Sequence, residues 1–312
     1  MDSLRVVIGI PTFKRPAGLK RLLDSIVLQQ ADFNPIVLIA DNEGDNGAGL
    51  AVAEKLKAEG YKLELHAIAV NERGISQVRN ALMQYAFDTL SSTYLAMIDD
   101  DEWVEPQWIA QLVEVQKQTG ADIVGGSVAP EFEGERPDWA QGLHIYYQSD
   151  SHSSGATELV QGTTNVLLHR SVVDNYPHER FDPFYSVVGG GDKEYFTRLK
   201  RKGATFAFAH LAQSHELFGA SRMTKAWALE RAFRIGAGDI RIIQKSKPSL
   251  FTWIKEILKL AVAIMLSLAS MLLYILKPHK HMKAKLKLYR QFGKLSAFQG
   301  KQRSVYSKIH GN

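Results

Sequence analysis

Asp99, Asp100, Asp101 and Glu102 stand side by side directly behind the apolar run TYLAMI. Adjacent carboxylates repel one another, and that costs stability unless a cation offsets the charge. Hard divalent cations prefer oxygen ligands and often share them with substrate phosphates. Acids at the end of a buried strand therefore suit Mg2+ or Mn2+ bound to a diphosphate. An exposed acidic turn, or a cap for a helix starting near Pro106, would use the same letters. Two more groups are chemically suggestive. Asp192 follows three glycines in VVGGGDKEYF, where it can act as a base, cap a helix, or do both. His215 lies 23 positions later behind an apolar stretch, with His210 as a nearby competitor.

These groups need a frame to bring them together. RVVIGI at 5–10, IVLIADN at 36–42, KLELHAIA at 62–69, TYLAMIDDDE at 93–102 and ADIVGGSV at 121–128 read as short buried strands. Helical patterns at 16–30, 47–59, 75–90 and 106–119 alternate with them; Leu19, Leu22, Leu23, Ile26 and Val27 fall on one face of the first. Such alternation predicts an α/β fold with a mainly parallel central sheet covered by helices on both faces. Ligands of such sheets sit beyond the carboxyl ends of the strands. That singles out Pro11 to Arg15, Asp41 and Asn42, Asn71, and Asp99 to Glu102. Regularity falls after about residue 130. A strand and helix are expected from QGTTNVLLHR (161–170), a helix within 187–203, a strand and polar loop over 204–218, and a basic helical segment over 222–246.

Taken in order, IPTFKRP (10–16), IADN (39–42), GISQVRNALM (74–83), MIDDDEWVEPQWI (97–109), GTTNVLLHR (162–170), GGGDKEYF (189–196) and SHELF (214–218) resemble family 2 glycosyltransferases with a GT-A fold. The likeness covers about residues 5–240 and extends to the glucosyltransferases of succinoglycan assembly. It implies an inverting transfer of a hexose from a nucleoside-diphosphate sugar, a UDP-sugar by family habit, with Mn2+ or Mg2+ as cofactor. Pro11, Thr12 and Arg15 match the positions that hold base and diphosphate. Asp41 matches the acid that reads uracil, and Arg79 a nucleotide contact. Asp99 and Asp101 match the outer positions of the DxD motif, with Asp99 nearer the ribose, Asp101 on the metal and Asp100 between them on the donor side. Asp192 falls on the general base, and His215 on a late metal ligand. The sequence departs from the family at Gly191, where a glutamate is usual, and Glu194 is the candidate to stand in for it.

Cysteine is absent, which excludes disulfides, thiol nucleophiles and thiolate metal sites. The N-terminal MDSLRVVIGIPTF lacks the pattern of a secretory signal peptide. The formal net charge is +5, and residues 277–303 are rich in Lys and Arg without an acid. Residues 260–276 before them carry no charge, at the short limit for crossing a bilayer. The pairing of apolar run and basic tail favours anionic lipid over nucleic acid. It predicts a catalytic domain over 1–245 and a membrane-associated segment over 246–312. A single crossing would carry the basic tail away from the cytoplasm, so residues 251–276 are expected to enter one leaflet and return, or to lie along it, on the cytoplasmic face of the bacterial inner membrane beside a lipid-linked glycan acceptor. A sugar-phosphate nucleotidyltransferase would show a Gly-rich GxGTR-type signature near the first strand, which IPTFKRP lacks. A non-catalytic sugar-binding scaffold at a membrane would need neither clustered acids nor a base.

Overall fold

A computed structural model describes residues 4–146 and 153–299. Residues 147–152, in the irregular stretch after about residue 130, and the end of the basic segment lie outside these. Among the described residues nine strands form one sheet: β1 (Val6–Thr12), β2 (Ile36–Asp41), β3 (Leu65–Ala69), β4 (Tyr94–Ile98), β5 (Glu102–Val104), β6 (Ile123–Phe132), β7 (Gly155–Thr157), β8 (Asn165–His169) and β9 (Phe206–Phe218). The helices are α1 (Pro16–Ile26), α2 (Ala48–Ala58), α3 (Ile75–Gln84), α4 (Trp108–Thr119), α5 (Ser171–Asn175), α6 (Phe184–Val188), α7 (Gly191–Arg201), α8 (Lys225–Lys245), α9 (Leu250–Leu273) and α10 (Pro278–Phe298).

The strand order is β3-β2-β1-β4-β8-β6-β9-β5, with β7 against β9. The expected parallel run holds across β3, β2, β1 and β4. Beyond β4 the sheet is mixed: β8 inserts antiparallel between β4 and β6, and β5 and β7 pair antiparallel with β9. Alternate residues of each strand feed two cores. Val6, Ile8 and Ile10 face α1 and α4, whereas Val7, Leu38 and Ala40 face α3 and α7. Asn165 pins the mixed half. It accepts from Trp108 Nε1 at 2.8 Å and donates to the carbonyls of Ser127 and Ala212, which joins β8, α4, β6 and β9 in the buried layer.

The C-terminal helices differ most from a solvated tail. α9 is one unbroken apolar helix of 24 residues, longer than the charge-free run alone suggested because Ser249 caps it and accepts from Thr252 N. Its best window has mean hydropathy 2.0 with 11% buried, so by length and composition it could cross a membrane. α10 runs back along α9: Trp253 meets Phe298 at one end, and His281 Nδ1 lies 3.0 Å from the Met271 carbonyl at the other. The basic segment is thus a packed helix. Met282 and Leu286 bury against Ala228 and Ala232 of α8, and Ala297 against Ala237 and Ile240.

Asp239 of α8 closes this assembly. It accepts from Lys193 Nζ of α7 at 2.8 Å and from Arg290 of α10 at 2.7 and 2.9 Å. Burial alone would raise its pKa, but Arg290 and Lys193 overcome that and hold it below the ordinary aspartate value. A carboxylate with a depressed folded-state pKa contributes stability above its unfolded pKa and loses it as pH falls through the folded one. Asp239→Asn should therefore destabilise the protein by about 2 kcal/mol at neutral pH. In thermal melts the gap to wild type should close below about pH 4; a gap independent of pH would assign the loss to packing.

Candidate active site

The acids sit where β4 leaves the sheet, and each turns a different way. Asp100 points back into the protein. It accepts from Thr12 Oγ1 at 2.8 Å and from Arg15 Nη1 at 3.0 Å, so it ties the loop after β1 to the acidic turn. Burial raises its pKa to about 6 despite the Arg15 charge. The approach is close: a Cβ on Gly18 of α1 would lie 2.5 Å from the Asp100 carbonyl oxygen. In the same loop Lys14 is held at φ 56°, a left-handed conformation that costs a lysine on the order of 1 kcal/mol.

Asp99, Asp101 and Glu102 converge, with one carboxylate oxygen of each lying within 4.8 Å of the others. Asp99 has a sealed Oδ1 although a quarter of its side chain stays open. Burial, opposed by Arg79 and reinforced by Asp101 and Asp192, lifts its pKa to about 7. Glu102 is fully buried, and among the described residues neither of its oxygens has a well-formed hydrogen-bond partner. The nearby Ser214 hydroxyl gives its proton to the Ser127 carbonyl at 3.4 Å. Burial, then the charges of Asp99 and Glu216, push the Glu102 pKa well up. A buried carboxyl without a partner costs free energy of several kcal/mol in this kind of setting. Three hard oxygen donors that close together, one of them unsatisfied, fit a divalent cation of the Mg2+ or Mn2+ class.

His215 does not join this cluster. β5 pairs with β9 so that Glu102 faces Glu216 and Trp103 faces His215. Neighbouring strand residues point to opposite sides of a sheet, so His215 lies on the other face from Glu102 and Glu216. Its ring stacks on Trp103, and its nitrogens meet Glu105 at 2.8 Å and Glu131 at 3.1 Å. His210 lies on β9 as a strand residue.

Arg79 brings the base position to the acids. α3 carries it, buried, between Asp192 at 2.5 Å and Asp99 at 3.7 Å. Asp192 lies in the first turn of α7, behind Gly189 and Gly190 at φ 77° and 84°, and keeps 24% of its side chain exposed. A side chain at Gly191 would crowd Tyr185 Cβ at 3.1 Å, so Tyr185 packs into the space that the family's glutamate would need. Glu194 lies in the same first turn of α7, buried and paired with Arg198 and Lys245.

Asp41 is fully buried and accepts from the backbone amides of Glu43 and Gly49 at 2.8 and 2.7 Å, so it fixes the start of α2 at the end of β2. Beside it Arg73 stacks over Phe13 at 3.7 Å. Pro11 and Thr12 end β1, with Pro11 level with Ala40 and Thr12 with Asp41. Three residues that sequence reasoning did not assign complete the acidic side. Glu102 was visible as a fourth acid. Glu216 was legible only from strand alternation within SHELF. Arg222, which bonds Asp101 at 2.9 Å and Glu216 at 2.7 Å, had no signal beyond lying in a basic stretch.

With this geometry in place, comparison with known proteins is decisive. The profile of glycosyl transferase family 2 matches residues 7–176, more than half of the chain. The chain belongs to that family. It is 29% identical over 253 residues to the succinoglycan biosynthesis protein ExoM of Rhizobium meliloti (strain 1021), covering 80% of this chain and 78% of that protein. Its fold is shared with TarS 1-349 of S. aureus, with TM-score 0.53 and 13% identity over 96% of this chain and 92% of that one. A structure of the same protein in complex with UDP-GlcNAc has TM-score 0.53 and 14% identity over 96% and 93%. The GT-A fold and the glycosyltransferase class expected from the sequence are thereby established.

The unpartnered carboxyl generates a prediction. Glu102→Gln should weaken Mn2+ binding at least about tenfold, while the thermal midpoint in EDTA stays equal to wild type or rises, because a buried acid is replaced by a neutral amide. Unchanged Mn2+ affinity by calorimetry would remove Glu102 from the ligand set.

Proposed function

We propose that this glycosyltransferase moves a hexose from a UDP-sugar, with inversion, to a hydroxyl of a growing lipid-linked polysaccharide. The observation that carries the reading is the Arg79 bridge, which holds Asp192 and Asp99 on one guanidinium. The likeness to a succinoglycan biosynthesis protein supports the polysaccharide product, and that to a fold solved with UDP-GlcNAc supports the donor class. Pro11, Thr12, Arg15 and Arg79 would line the carboxyl ends of β1 and β2 and the α3 face, where base and diphosphate would lie, and Asp41, buried beneath, would shape the base pocket by fixing the start of α2. Asp101 and Asp99, with Glu102 in place of His215, would hold Mn2+ or Mg2+. A cation there would draw charge off the departing diphosphate.

The chain's own residues supply the rest. An acceptor hydroxyl is far too weak an acid to ionise at neutral pH, so it needs a base as it attacks. Asp192 would take that proton while the new bond forms at the anomeric carbon and the bond to the diphosphate breaks. Arg79 fixes the carboxylate's direction. Asp192→Asn keeps shape and polarity but cannot accept the proton. Turnover should fall about 10²–10⁴-fold with UDP affinity unchanged. A deeper loss in Glu194→Gln than in Asp192→Asn would move the base two residues along α7.

Residues 1–245 would form the catalytic domain and 246–312 the segment that holds it to the cytoplasmic face of a membrane. α9 exposes Leu250, Phe251, Leu258, Met265, Leu266 and Leu272. Its pairing with α10 supports an in-plane helix rather than a crossing. A crossing α9 would draw Lys283, Lys285, Lys287 and Arg290 of its partner toward hydrocarbon, at about 3 kcal/mol for each charge near the centre. In the plane, the same lysines meet anionic headgroups at about 1 kcal/mol each. The full-length protein should co-sediment with anionic vesicles and release in high salt once Phe251, Leu258 and Leu266 are changed to Ser. A C-terminal tag reachable by protease only from the periplasmic side would show that α9 crosses.

A further inference from the structure

Asp101 Oδ2 accepts from two guanidinium groups at once, Arg15 Nη1 at 3.1 Å and Arg222 Nη2 at 2.9 Å. The two arginines are held differently. Arg15 has a second anchor in Asp100, which is buried and locked to Thr12. Arg222 belongs to the short turn Ala220–Arg222 between β9 and α8. Its other contacts are Glu216 Oε1 at 2.7 Å, the Leu217 carbonyl at 2.8 Å and the face of Phe218 at 4.8 Å. Asp101 Oδ1 is left to a cation, but a divalent charge on that carboxylate would face two guanidinium charges already held on Oδ2. The Arg222–Asp101 pair and a cation on Asp101 therefore oppose one another.

We propose that Arg222 is an exchangeable counter-ion. It releases Asp101 when a divalent cation binds there, and its freed N–H groups take the diphosphate of the nucleotide donor. This rests on reading Asp99, Asp101 and Glu102 as the site of the metal diphosphate. Charge explains why the two ligands arrive together. A cation alone must strip Arg222 of its carboxylate and leaves the guanidinium facing only Glu216 and a carbonyl. A diphosphate alone must approach Asp99, Asp101 and Glu216. Bound together, the cation replaces Arg222 on the acids, and the phosphates replace Asp101 on Arg222. The planar fork of arginine suits that second partner, since it binds carboxylate and phosphate oxygens in the same bidentate geometry. Each ligand thereby raises the affinity for the other by the same factor.

Calorimetry on the full-length protein with Mn2+ and UDP tests this through two effects of opposite sign. Arg222→Gln should bind Mn2+ alone about tenfold more tightly, and UDP at saturating Mn2+ about tenfold more weakly. The mutual enhancement of the two ligands should shrink. Arg222→Lys keeps a cation without the fork and should recover part of the UDP affinity. Tighter Mn2+ binding is a change that a merely misfolded variant would not show. If a variant with a wild-type melting curve binds Mn2+ no more tightly than wild type, Arg222 is not the competitor and the exchange is wrong. If wild type itself binds neither Mn2+ nor UDP saturably, the metal-diphosphate reading falls, and this inference falls with it.

Discussion

The rest of the structure is arranged around negative charge crowded at one strand end. β4 is buried throughout and delivers Asp99 to Glu102 to its end, where Asp100 and Glu102 are buried and Asp99 and Asp101 stay partly open. Each acid must then find a partner or take up a proton. Asp100 turns inward to Thr12 and Arg15, Asp101 takes Arg15 and Arg222, and Asp99 lies beside Arg79. Glu102 has no well-formed partner among the described residues, and burial raises its proton affinity against the neighbouring Ser214 hydroxyl. Unsatisfied buried groups of this kind persist in native proteins where function uses them. The cations that balance the acids come from three elements, α1's leading loop, α3 and the turn after β9. Assembling the charges is therefore the same event as assembling the site.

α7 is secured from the opposite side. Lys193 and Glu194 follow Asp192, and both are held by α8: Lys193 by Asp239, Glu194 by Lys245. Asp239 also takes Arg290 of α10, the helix that lies along the apolar α9. Ion pairs thus run from the α9–α10 hairpin to the turn that carries Asp192. Glu194 leads inward through Arg198 to Glu179. Most of these side chains are poorly exposed, so their geometry is fixed more firmly than that of surface pairs.

Much of this was legible in advance because the signals are local. Apolar runs of strand length alternating with amphipathic helices give the α/β order, and glycines before Asp192 give the turn that opens α7. The acidic quartet is conspicuous in the sequence because like charges in a row are costly. Other features were out of reach. The exchange of parallel for mixed pairing beyond β4 depends on β8 inserting from about 70 residues away. The direction of Asp100 depends on Thr12 across the sheet, and the filling of the space beside Gly191 depends on Tyr185 of a different helix. That the basic segment packs as a helix against α8 was not legible, because its small buried residues, Ala284, Gly293 and Ala297, carry little hydrophobic signal.

The sequence by itself determined the fold class, the family and the set of acids and arginines available, since strand and helix periods and motif order reside in contiguous residues. Only the tertiary structure decided which of them meet. One step along a strand reverses a side chain, so pairing β5 with β9 sends Glu102 and Glu216 toward the cluster and His215 to the far face beside Trp103. That choice is made by register between segments more than a hundred residues apart, and no spacing within either segment encodes it.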